Sequence, residues 1–167
     1  MKRNWQLLER VISCVQIILG LLILFVVATT IKSYYDVFWI NPLFDHKTIL
    51  EISFKKNYIL FIISLISIIS GFLLYNNSLK GWVTSIITWT MYVILFLFSY
   101  YRLSVNESYH LDLVSQIAIC FAVIVFTTIL VFLNNSEFKH KYKPTKKNWL
   151  IITSAIVILT LAKFFYS

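Results

Sequence analysis

From positions 11 to 31 the chain runs for 21 residues without a charged side chain. Four more apolar stretches follow, at 58–74, 82–101, 113–133 and 149–165, and Lys163 is the one charge among them. A helix needs about 20 apolar residues to cross a hydrocarbon layer roughly 30 Å thick. Inside that layer every backbone N–H and C=O must find its partner within the protein. These runs therefore predict an all-α integral membrane protein, a bundle of five transmembrane helices with short loops. The fifth run, at about 26 Å, only just spans; if it lies along the membrane instead, the count is four. Residues 1–167 then form a single membrane domain.

Composition agrees. Hydrophobic residues reach 59% and charged ones 13%, against about 45–50% and 25% in a soluble domain. With 3 Gly and 2 Pro, the chain is poorly suited to the broken helices of secondary transporters. Its bias toward Ile, Phe, Lys, Asn and Tyr suits an AT-rich bacterial genome. The first run is longer than a signal-peptide core, and Ala28-Thr29-Thr30 is a poor cleavage site, so it reads as a retained anchor. Cys14 and Cys120 lie in different apolar runs and read as small apolar filler rather than a disulfide.

Charge sets the direction of crossing. A short basic loop, Lys139, Lys141, Lys143, Lys146 and Lys147, separates the fourth run from the fifth, and lysine-rich loops resist translocation. With the N-terminus in the cytoplasm, nine basic residues fall inside (Lys2, Arg3, Arg10, Lys80 and those five). Six fall outside (Lys32, Lys47, Lys55, Lys56, Arg102 and Lys163). The expected location is a plasma (inner) membrane of a bacterium, multi-pass, with a cytoplasmic N-terminus. The net charge of +8 thus reports orientation and attraction to anionic lipid at the basic loop; nucleic acid is not an expected partner. Pro144 interrupts any helix through this loop, and Asn148 is placed to cap the next one.

Helical spacing picks out small or polar faces. Ser13, Gln16 and Gly20 recur at i, i+3, i+7; Ser64, Ser67 and Ser70, with Gly71, at i, i+3, i+6; Ser115, Ala118 and Ala122 at i, i+3, i+7. Such faces let helix backbones approach and hydroxyls bond between helices; the alternative is a polar pore lining. Trp82, Trp89, Tyr92 and Phe96 form an aromatic stripe, read as lipid-facing or core packing, with Trp82 and the Tyr100-Tyr101 pair at the two interfaces.

The loop at 32–57 is the longest. It carries aromatic residues from Tyr34 to Phe44, a turn at Asn41-Pro42, and a period-two pattern over Leu50–Lys55 that suits a short strand or interfacial segment. Together with the loop at 102–112 it offers an outer-face candidate surface: Asp36, Trp39, His46, Glu51, Glu107, His110 and Asp112. A divalent cation could use such groups, but solvated loop charge is the ordinary explanation, and no catalytic, cofactor or metal site is assigned.

No ionisable residue stands at mid-depth in any run, which argues against proton relays and intramembrane catalysis. The function expected is a non-enzymatic sensor or accessory subunit that works through homo-oligomerisation or a protein partner. The alternative is a channel or pore-forming effector. By size and hydropathy alone the chain resembles the small polytopic proteins that bacteria use as accessory subunits, bacteriocin immunity proteins or membrane components of anti-phage systems; no residue carries that likeness.

Overall fold

The computed structural model describes residues 3–39, 46–105 and 113–165. All of its regular structure is helical: α1 (Arg3–Trp39), α2 (His46–Tyr75), α3 (Leu79–Val105), α4 (Leu113–Leu133), α5 (Ser136–Tyr142) and α6 (Lys146–Phe165). Five of the six, all but α5, are long and apolar enough to cross a membrane.

The helices outrun the apolar stretches. At 37 residues, α1 extends about 55 Å, and α2 begins at His46 rather than at 58. The short-strand reading of Leu50–Lys55 is corrected: those residues are helical. Six letters of alternation are too few to outweigh a neighbouring helix, and Lys47, Glu51 and Lys55 stand four apart, the spacing that favours helical ion pairs. Helical hydrogen bonding has no reason to stop where the hydrophobic stretch does.

α3 is the hub. Its span is 61% buried, against 11% for α4 and 6% for α6. α1 packs on α2, α2 on α3, and α3 on both α4 and α6. Between α2 and α3 the chain reverses through a Schellman turn: Ser78 N–H donates to Leu73 O and Asn77 N–H to Leu74 O, with Asn77 left-handed at φ 56°. Asn tolerates that conformation better than most residues. Gly81 then passes so close that an added Cβ would lie 2.3 Å from the Leu73 carbonyl carbon and the Leu74 nitrogen.

α1 and α2 meet through small residues. A Cβ on Gly20 would approach Ser64 O to 2.9 Å, and one on Gly71 would approach Ser13 O to 3.0 Å. α3 and α4 meet through rings: Phe126 lies 5.3, 5.7 and 5.4 Å from Trp89, Tyr92 and Phe96. The aromatic stripe is thus core on α3, with Trp82 buried as well. α6 is held by Trp149 edge-on to Trp82 at 5.7 Å, and by Tyr58, whose hydroxyl donates to Ala162 O at 3.0 Å. Lys163 lies over the Phe98 ring.

The basic loop is also corrected. Its first half is helix α5, capped by Asn135, whose side chain accepts from Glu137 N–H, and closed by left-handed Lys143. Seven residues cannot sustain a helix alone; Phe138 and Tyr142 anchor it by burial. Asn148 does not cap α6. It sits inside the first turn and donates its N–H to Thr145 O, so Thr145, directly after Pro144, holds the capping position.

Candidate functional site

The two ends of the bundle differ. At one end lie the start of α1, the α2–α3 turn, the end of α4, all of α5 and the start of α6. Glu9 in α1 pairs with Lys141 in α5, Arg10 stacks over Tyr75, and the Trp82 indole N–H donates to Leu133 O at 2.9 Å. Leu133 ends α4, so that bond satisfies a carbonyl with no partner inside its own helix. This is the basic end of the molecule.

Its centre is Glu9, 2% exposed. The carboxylate accepts from Lys141 Nζ and from Tyr142 Oη, while Lys141 also donates to Asn77 Oδ1 in the α2–α3 turn. Three segments distant in sequence are joined by one ionic cluster. Rings close it: Trp82 stacks on Tyr142 at 6.1 Å, and Trp5 meets Phe138 edge-on at 5.8 Å. Burial, then the hydrogen bond to Glu9 and its negative charge, push the Tyr142 phenol well above its ordinary range. A charge this enclosed is tolerable only when paired and hydrogen-bonded.

Glu9 was not singled out by sequence reasoning, yet a signal existed. The face Ser13, Gln16, Gly20 extended back four residues reaches Glu9, and Ser13 Oγ donates to Glu9 O at 2.7 Å. The polar face therefore runs unbroken from the basic end into the bundle.

Farther in, Gln16 is the junction of α1, α2 and α3. Its amide nitrogen donates to Ser70 Oγ, its side-chain oxygen accepts from Trp89 Nε1 at 3.2 Å, and its backbone oxygen accepts from Ser67 Oγ at 2.9 Å. Ser70 Oγ donates to Ser67 O at 3.0 Å and lies 3.5 Å from Thr88 Oγ1. Ser64 bonds its own helix at Phe61 O. Ser13, Gln16, Ser64, Ser67 and Ser70 are fully buried, Gly20 and Gly71 lie between the same helices, and Thr88 joins them.

The third face fares differently. Ala122 packs on the core, Ser115 is half-buried, and Ala118 is exposed on α4. Cys14 and Cys120 are free and exposed on the outer surface of the helices, not filler in the core. Of the basic loop, Lys139, Lys143, Lys146 and Lys147 remain exposed, and Lys141 is drawn inward. Lys139 lies 5.6 Å over the Trp149 ring.

At the opposite end Asp36 is exposed on α1. Trp39, His46 and Glu51 belong to the helical backbone, but their side chains, and the whole of Glu107, His110 and Asp112, lie outside the described residues. Among the described residues no three His, Cys, Asp or Glu side chains gather as a metal site would require.

Fold and composition together are those of a multi-pass helical membrane protein. No protein-family model, curated protein or solved structure shows a significant match to the chain.

Proposed function

We propose that the protein is a non-enzymatic accessory or sensor subunit of a bacterial inner membrane, acting through a partner or a second copy. The basic end would face the cytoplasm, with its exposed lysines beside anionic lipid. One observation carries the reading: the polar groups of α1, α2 and α3 bond chiefly to one another, whereas few residues of α4 and α6 are fully buried and more than half of each helix is exposed. The outward-facing Ala118 lies among Val114, Ile117 and Phe121, all exposed, so a neighbouring helix could approach α4 closely there.

The pore reading has less support, because Ser64, Ser67 and Ser70 face Gln16 and Gly20 of their own chain. Mass measurement of the full chain in lipid nanodiscs tests the proposal. A stable homo-oligomer or co-purified partner, lost on Ala118→Trp with the fold retained, is the expected result. A lone monomer with no partner at native expression would remove the proposal, and ion flux through proteoliposomes would replace it with the channel.

A further inference from the structure

The exposed lysines of the basic end do not form one even field. α5 buries Phe138 and Tyr142 and leaves Lys139 and Lys143 exposed, one helical turn apart on the same side. Lys139 reaches across to α6, where its ammonium group lies 5.6 Å from the centre of the Trp149 ring. Lys146, also exposed, stands three residues before Trp149 and so shares that ring's side of α6. Only Pro144 and Thr145 separate it from Lys143. Three ammonium groups are thereby drawn to one corner, between the outer face of α5 and the first turn of α6.

Among the described residues no carboxylate pairs with Lys139, Lys143 or Lys146, and Lys141 is committed to Glu9. Glu137, the one acid of α5, stands two residues from Lys139, about 200° around the helix. Like charges gathered this closely repel one another, so an anion is the ligand chemistry that fits. The residues that follow on α6 say which anion. On the side that Lys146 and Trp149 share, the next exposed positions are Leu150, Thr153 and Val157, the two apolar ones 67% and 49% exposed. An indole at the start of an apolar run sits at headgroup level. A phosphate placed against the lysines would therefore have an acyl-chain surface directly beside it.

We propose that the α5–α6 corner is a binding site for one anionic phospholipid, its phosphate held by Lys139, Lys143 and Lys146 and an acyl chain laid along Leu150 and Val157. The inference rests on the reading of the basic end as lying against anionic lipid and deepens it: position, and not charge alone, decides what binds. Diffuse attraction to a charged surface would count Arg10 and Lys80 equally with the corner lysines, although these belong to α1 and to the start of α3.

Native mass spectrometry of the full chain, released from nanodiscs of equal phosphatidylglycerol and phosphatidylcholine, tests the site. The chain should retain one phosphatidylglycerol in roughly tenfold preference to phosphatidylcholine. The double change Lys139→Gln and Lys146→Gln should bring that preference close to one. Arg10→Gln with Lys80→Gln, an equal loss of charge, should leave it nearly unchanged; all four positions are exposed, so neither pair opens the core. An equal fall in both pairs would mean diffuse attraction. No preference in the unaltered chain, or one that survives the corner pair, would mean no site; each result overturns the proposal. Glycerol 3-phosphate at the lipid's own concentration should not compete, and equal competition would overturn the lipid in favour of a free phosphate ester. None of these readings depends on the oligomeric state, so the lipid site and the partner proposal fail separately.

Discussion

The contact of α1 with α2 and that of α3 with α4 solve one problem in two ways. Lipid chains are as apolar as leucine, so helices in a bilayer gain little from hiding hydrocarbon from water. α1 and α2 adhere through close approach: Gly20 and Gly71 bring backbones together, and Ser67 and Gln16 bond across the gap. α3 and α4 adhere through bulk, with Phe126 set among three rings, edge-on to Phe96 and tilted against Trp89 and Tyr92, at centroid distances where aromatic pairs attract. The first mode tolerates no added atom. The second tolerates loss, because acyl chains can occupy what a ring vacates.

The largest effect expected comes from the same intolerance of an added atom, met again where α3 leaves the α2–α3 turn. Gly81→Ala, a single added carbon set against the Leu73–Leu74 backbone, should destabilise the bundle by about 3 kcal/mol, read by steric-trap unfolding in bicelles. Phe126→Ala removes far more atoms yet should cost about 2 kcal/mol, below the roughly 3–5 kcal/mol of a water-soluble core. If the ring deletion proved the more damaging of the two, close approach would lose its primacy. Gln16→Leu keeps the volume and deletes the cross-helix bonds. It should cost about 1 kcal/mol, in line with hydrogen bonds between membrane helices, and an increase in stability would show that packing alone joins α1 to α2.

The smallest effect concerns the basic end. The folded chain holds the Tyr142 proton more tightly than the unfolded chain, whose phenol titrates at roughly 10. Its contribution is therefore complete below that pH and declines as pH rises above it. A Tyr142→Phe chain should lack this part of the alkaline decline in a pH series of unfolding; equal slopes would mean that Tyr142 is not enclosed.

Much of the bundle is legible in the letters because crossing oil demands long uncharged runs, and five of them stand out. The small and polar positions on the first two runs could be recognised by period alone. What hydropathy concealed is physical. It scores an isolated carboxylate as external, so it groups Glu9 with the polar N-terminal residues although Glu9 continues the Ser13–Gln16 face. It scores FKHKYK as loop, although Phe138 and Tyr142, four apart, mark one face of a helical turn. It ends α1 near Lys32, although helical hydrogen bonds continue through charged residues once outside the hydrocarbon. At the end opposite the basic one, Glu107, His110 and Asp112 lie outside the described residues.

Glu9 and Lys141 are 132 positions apart, and that distance has a meaning in time. Translation proceeds from the N-terminus, so the acid is made long before the base that neutralises it. During that interval α1, α2 and α3 can pair, but Glu9 must wait in water at the membrane edge. The basic end therefore closes only after α5 has been made. A chain truncated before α5 would carry an acid deprived of both its partners, Lys141 and Tyr142.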